Sequence, residues 1–275
     1  IEAETKTQAE TGTTSTSTST TSSTDAAKRD LLREPWSKEL VQLFEKLFRD
    51  ESTKGWGLFG LVVQAYSKRC LPVLNWLAAL AKDVGDRIPL RLVKGAYWDS
   101  EIKLCQQRGL SGYPVYTRKE STDVSYLACA NFLLSAHTRQ WIFPQFASHN
   151  AHTIATIATI AENLGATTNE YEFQRLHGMG DALYNRLIKD KDVCVRIYAP
   201  VGSHKDLLPY LVRRLLENGA NSSFVHRLVD ARCPVSELVD HPVTTLKSRK
   251  TLRNPFINLP KDMFVDRKNS YGPNI

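Results

Sequence analysis

Between Leu58 and Gly219, short runs rich in β-branched and aromatic residues alternate with longer amphipathic runs. This alternation constrains the fold more than any other feature of the chain. The strand-like runs are Leu58–Tyr66, Ile88–Tyr97, Trp141–Ser148, Tyr171–His177 and Val193–Pro200. Helix-like runs follow them over about 68–83, 99–108 with 122–136, 150–164, 181–189 and 204–218. Strands that alternate with helices form parallel βαβ units, because a parallel neighbour needs a long crossover. Five such units fit an open doubly wound sheet or part of a (β/α)8 barrel. No G-x-G-x-x-G follows the first run, so the dinucleotide fingerprint of the doubly wound class is missing. Polar residues stand instead at the ends of several runs: Gln64, Lys94 with Tyr97, His149, Gln174 with His177, and Tyr198. Barrel enzymes collect their chemistry at those ends, so the predicted class is α/β, a (β/α)8 TIM-type barrel with about five βα units present.

The flanks read differently. Residues 1–28 are dominated by Thr and Ser and hold almost nothing apolar, so they are expected to be disordered. Residues 29–54 read as a helical lead-in, 55–230 as the barrel portion and 231–275 as a weakly structured linker punctuated by proline. The net charge of +7 owes part of its excess to Lys247, Arg249, Lys250, Arg253, Lys261, Arg267 and Lys268 in that linker. No aromatic interleaving or nucleic-acid motif accompanies them, so a solvated basic stretch is expected and nucleic acid is not a predicted partner. Apolar runs such as Trp76–Ala81 are too short to span a bilayer, and no signal peptide is visible. The five cysteines show no CxxC spacing and read as reduced, mostly buried thiols. No zinc-finger spacing occurs, and no metal is expected.

Four segments carry candidate chemistry. In Arg213-Arg214-Leu215-Leu216-Glu217 the adjacent arginines point about 100° apart on a helix, and Arg213 and Glu217 share a face. One arginine can pair with Glu217 while the other clamps a carboxylate bidentately; a solvated basic face is the alternative. Arg91-Leu92-Val93-Lys94-Gly95-Ala96-Tyr97-Trp98 begins as a strand and ends in Gly-Ala, where backbone can approach a ligand closely. Regular alternation sends Arg91 and Lys94 to opposite faces, and a buried Arg91 needs a polar partner such as an acceptor-rich flavin ring. Ala147-Ser148-His149-Asn150 opens a helix, where either a phosphate or an ordinary cap by Ser148 or Asn150 is accommodated. Tyr198 and Tyr210 either wall a small apolar ring or pack as structural tyrosines.

Taken in order, these segments resemble the proline dehydrogenase domain of bifunctional proline-utilisation (PutA) proteins. The matching stretches are Gln64–Tyr66, Arg91–Lys103, Gly112–Lys119, Asp123–Ala130, His149–His152, Tyr171–Gly180 and Arg196–Phe224. The resemblance implies a (β/α)8 barrel that binds FAD and oxidises L-proline to Δ1-pyrroline-5-carboxylate, the first step of proline catabolism to glutamate. It implies FAD contacts from Gln64, Arg91, Val93, Gly95, Ala96, Trp98, Thr117, His149, Asn150, Gln174 and Glu217, with Arg91 near the reactive flavin nitrogen. Arg213 and Arg214 would hold the proline carboxylate, while Tyr97, Tyr198, Tyr210 and Leu176 would enclose its ring. It further implies a quinone or other membrane electron acceptor, and an aldehyde dehydrogenase domain in the same parent chain, toward which Asn254–Ser270 leads. The location implied is cytoplasmic, with peripheral contact at the inner membrane as a variant.

Closure of such a barrel needs eight units, and nothing in residues 1–54 matches the early Lys and Asp that complete the family's active site. Alone, the 275 residues are therefore expected not to form a stable flavin-loaded monomer. By alternation Val62, Leu92 or Val93, Phe146 and Val195 would line an apolar interior lacking its facing strands. Two other functions stay open: a Schiff-base barrel enzyme with Lys94 as nucleophile, and an inactive remnant that only binds a partner.

Overall fold

Five short strands lie side by side in chain order, all parallel. They are β1 (Leu61–Gln64), β2 (Ile88–Val93), β3 (Ile142–Ala147), β4 (Glu172–Leu176) and β5 (Val195–Tyr198). In this computed structural model, residues 35–219, 227, 230 and 232–263 are described. The Thr/Ser-rich segment lies outside them. Each strand is shorter than the run that announced it, because the polar ends leave the ladder and become the loops that carry the site. Consecutive strands that remain neighbours give the arrangement of successive units of a (β/α)8 wall. Among the described residues the sheet does not close, and β1 and β5 are its edges.

The helices are α1 (Pro35–Phe48), α2 (Cys70–Val84), α3 (Trp98–Gln107), α4 (Lys119–Leu134), α5 (Ala136–Arg139), α6 (Ala151–Asn163), α7 (Asp181–Lys191) and α8 (His204–Gly219), then the short α9 (Val235–Leu238) and α10 (Pro242–Lys247). Their apolar stripes cover one face of the sheet. Ile88, Leu90 and Leu92 of β2 and Ile142 and Phe146 of β3 are fully buried against Leu74, Leu77 and Leu80 of α2, Tyr126 and Leu133 of α4, and Ile154 and Ile157 of α6. Burial of about 25 cal/mol per Å² of apolar area makes this layer the main source of stability. The lead-in helix belongs to the same core: Phe44 and Phe48 of α1 stack on Phe59, and Phe44 meets Trp76 edge-on.

The opposite, concave face is polar. Register pairs Arg91 with Gln145, Gln145 with Glu172, and Gln174 with Arg196 across the strands. Phe146, Leu92 and Val195 therefore belong to the helix-covered side, not to the interior where simple alternation put them. Val62 and Val93 do face the concave side. Most of the apolar core lies between sheet and helices, while Val62 and Ile197 on the two edge strands stay more than half exposed. Buried Glu172 is instead held by Arg196, whose Nε and Nη2 each donate at 2.8 Å, and by Gln174 Nε2 at 2.7 Å.

The stretch expected to be a weakly structured linker carries α9, α10 and a 3₁₀ turn at Pro260–Asp262, and it packs on the barrel portion. Two of its prolines open helices rather than break them: Pro242 and Pro260 occupy first-turn positions, where a missing N–H is harmless.

Candidate active site

A cleft of about 840 Å³ opens at the C-terminal ends of the strands. β2 ends at Val93, and the chain then turns sharply through Gly95, whose φ is +127°. A side chain at this position would place its Cβ 1.6 Å from the ring of Tyr66, so only glycine lets the turn sit on that ring. The turn ends the alternation of the strand. Arg91 and Lys94, expected on opposite faces, both line the cleft for that reason, with Val93, Gly95, Ala96, Tyr97 and Trp98.

Arg91 lies with its guanidinium 4.0 Å from the ring centroid of Tyr198, and its Nε is buried with no hydrogen-bond partner among the described residues. Such a donor is costly unless a ligand accepts from it. Burial raises the Tyr198 hydroxyl and the neighbouring Arg91 opposes the shift, so this phenol stays protonated at neutral pH. Trp98 is fixed by its Nε1, which donates to the Tyr116 carbonyl at 2.7 Å.

The helix after β5 supplies the other wall. Arg213 donates from Nη1 to Tyr97 Oη and lies 5.1 Å from that ring, which ties α8 to the β2–α3 turn. Arg214 stands 5.6 Å from the ring of Tyr210, whose own hydroxyl is buried and has no hydrogen-bond partner among the described residues. The expected partner of Arg213, Glu217, has a side chain outside the described residues. A guanidinium has five donors, so the Tyr97 bond leaves Arg213 free to bind a carboxylate as well.

At the β3–α6 junction, Asn150 Oδ1 accepts from the Thr153 amide at 3.0 Å, the ordinary N-cap. His149 Nε2 accepts from the Leu176 amide at 3.2 Å. Burial, then Arg214 and Arg175, pull its imidazole down to about 4, so it is neutral with its proton on Nδ1. Both residues line the cleft, as do Gln64, Thr117 and Leu176. Gln174 does not; it is buried behind the wall, where its amide is turned to Glu172 and its carbonyl accepts from Tyr184 Oη at 3.2 Å.

Lys94 is not poised as a free amine. Its ammonium donates to Asp123, which also accepts from Lys119 at 2.8 Å, and to Thr153 Oγ1 at 3.1 Å. Burial pulls the Lys94 pKa down and Asp123 pushes it back, while the two lysines hold Asp123 below the usual carboxylate range despite its burial. A lysine locked to a carboxylate is a poor Schiff-base nucleophile, so the geometry disfavours that alternative. Sequence reasoning missed this Lys94–Asp123–Lys119 unit and also Tyr66, Arg118 and Met179 on the cleft wall. Only Gly95 signals Tyr66, since a glycine after a strand marks close packing; nothing in the linear order links Asp123 to Lys94.

The family model "Proline dehydrogenase" matches residues 31–227. The bifunctional protein PutA of Escherichia coli (strain K12) is 51% identical over 245 residues, covering 84% of this chain and 18% of that protein. PutA of Rhizobium meliloti is 48% identical over 237 residues, covering 84% and 19%. The crystal structure of Bradyrhizobium japonicum proline utilization A superposes with a TM-score of 0.79 at 48% identity, over 90% of this chain and 26% of that one. That of Bdellovibrio bacteriovorus PutA inactivated by N-propargylglycine gives 0.71 at 37% identity, over 78% and 22%. The chain spans about a fifth of the length of the curated PutA relatives it matches.

Proposed function

This chain belongs to the proline dehydrogenase family, and we propose from that premise that its cleft binds FAD and oxidises L-proline to Δ1-pyrroline-5-carboxylate. One observation carries the reading. Arg213, Arg214, Tyr198, Tyr210 and the Arg91–Trp98 turn with its Tyr97, drawn from distant parts of the chain, converge on a single cleft. The residues present fit a flavin: Arg91 offers a buried donor with no partner among the described residues, and the Gly95 turn brings backbone to the cleft surface beside Trp98.

The chain's own groups then divide the work. Arg213 and Arg214 bind the substrate carboxylate through charge-assisted bonds. Tyr97, Tyr198, Tyr210 and Leu176 enclose the apolar ring and exclude water. Arg91, Gln64, Val93, Ala96, Trp98, Thr117, His149 and Asn150 hold the cofactor, with neutral His149 serving as a fixed Nδ1 donor. Gln174 and Glu217 support that set, the former by way of Glu172. When bound, the flavin accepts the two electrons that leave the ring carbon next to nitrogen. Orientation by the arginines is a large share of the protein's contribution, since aligned reactants avoid a large entropic barrier. No metal enters this scheme.

In this reading the protein is cytoplasmic and passes its electrons to a quinone or another membrane-held acceptor. Among the described residues no helix is long and apolar enough to cross a membrane, which fits peripheral contact. The product goes to an aldehyde dehydrogenase domain of the same parent protein, as the bifunctional relatives suggest. Arg214→Met tests the substrate assignment. Loss of one charge-assisted carboxylate bond costs about 1.5–3 kcal/mol, roughly ten- to a hundredfold in apparent affinity for proline. FAD affinity should change far less. Equal damage to both ligands would remove Arg214 from the carboxylate clamp.

A further inference from the structure

The proposed chemistry makes no use of residues 242–262, yet this segment grips one rim of the cleft. α10 packs along α4, and Arg249 pairs with Glu120 at the start of α4. Arg118 Nε donates to the Thr251 carbonyl at 3.2 Å. The Asn254 amide donates to Thr117 Oγ1 at 3.0 Å. Tyr113 Oη donates to the Asn258 carbonyl at 2.7 Å, and Ile257 packs on the small apolar cluster of Tyr66, Ile102, Tyr113 and Val115. Three of the four residues Thr117–Glu120 are so held, and two of the three, Thr117 and Arg118, line the cleft.

The rim is fixed from the other side as well. The Tyr116 amide donates to the Tyr66 carbonyl at 2.9 Å, and the Tyr116 carbonyl accepts from Trp98. Thr117–Glu120 is thus clamped between the β1–α2 turn and the segment. The bond from Asn254 occupies an acceptor position of Thr117 and leaves its O–H as a donor. The segment is incompletely seated around Pro242, Thr245 and Arg249. Beneath it lies a cavity of about 400 Å³ that shares Lys119, Asp123 and Asn150 with the main cleft. An element that covers a cavity loses little packing when it lifts, which marks it for local opening.

We propose that residues 242–262 are a positioning strap: they fix the Thr117–Glu120 rim and thereby set how tightly the cleft holds its cofactor. The cofactor half of this inference rests on the flavin reading above. Displacement of the strap, from whatever source, is then felt as a change in cofactor affinity.

Hydrogen–deuterium exchange and FAD titration of the whole chain test it, using Ile257→Asp, Arg249→Glu, and the charge-swapped pair Arg249→Glu with Glu120→Arg. Ile257→Asp and Arg249→Glu should speed exchange of amides 113–120 by about tenfold, while amides of β2 and β3 keep their rates. FAD dissociation constants should rise about three- to tenfold. The charge swap should return both quantities toward wild type, a rescue that a merely structural role for either side chain would not give. Unchanged exchange at 113–120 in folded variants, or a swap as damaged as the single variant, would overturn the strap. Should these 275 residues alone bind no FAD, as the unclosed barrel leads one to expect, exchange alone decides the strap, and the flavin reading is decided by proline addition to the flavin-loaded parent protein. Should Ile257→Asp fail to fold, the Arg249 and swap variants decide it.

Discussion

Replacing Gly95 by alanine isolates the turn on which the cleft depends. Two costs add at this site. A non-glycine residue at φ +127° is strained by about 1–3 kcal/mol. The new Cβ would also lie 1.6 and 2.1 Å from two ring carbons of Tyr66, well inside contact distance. Tyr66 is only 4% exposed, so its ring cannot move aside without disturbing the packing around it. Overpacking of this kind costs about 1–3 kcal/mol more. Gly95→Ala should therefore destabilise by about 2–6 kcal/mol. Gly85→Ala is the control. Gly85 caps α2 at φ +75°, and nothing lies within 4 Å of its would-be Cβ, so it should cost about 1 kcal/mol. Urea denaturation followed by circular dichroism measures both. A Gly95→Ala cost within about 0.5 kcal/mol of the Gly85→Ala cost would refute the claim that the turn is seated on Tyr66.

Two further outcomes follow from the concave face. Arg196→Met leaves Glu172 buried with the Gln174 amide still donating to it and should cost about 1–3 kcal/mol, toward the low end because the Arg196 side chain is 59% exposed. Adding Glu172→Gln should recover part of the loss in a denaturation double-mutant cycle. His149 gives a pH signature. Its imidazole sits at about 4 in the fold against 6.5 when unfolded, mainly through burial, so the unfolded chain takes up the proton first as pH falls. The contribution is intact above about pH 6.5 and drains between 6.5 and 4, by up to about 3 kcal/mol. His149→Gln should flatten denaturation free energies across that window.

The element order was legible because its signals are local. Period-two and helical patterns mark each βα unit, and the polar strand ends mark the side on which chemistry gathers. Of the sixteen expected site residues whose side chains are described, fifteen line one cleft, a convergence that linear order alone could not guarantee. Gln174, expected to contact FAD, lies behind the cleft wall, because a strand-end position does not reveal a neighbour such as Glu172 that turns the amide away. The concave face was misread for a related reason. Alternation gives two faces but not which one the helices cover, so it assigned Phe146 to an interior that belongs to Gln145 and Arg91. Lys94 escaped its parity because the backbone leaves the strand at Gly95. The strap was hidden by composition: prolines and basic residues resemble a linker until Arg249, Asn254 and Ile257 find partners more than a hundred residues away.

Anaerobic addition of L-proline to the flavin-loaded protein tests the central claim most directly. Oxidation of the substrate reduces the flavin, so the account predicts that its visible absorbance band bleaches as proline is added. The band should return when an electron acceptor such as a soluble quinone follows. A folded, flavin-loaded sample whose spectrum does not change at saturating L-proline would contradict the account.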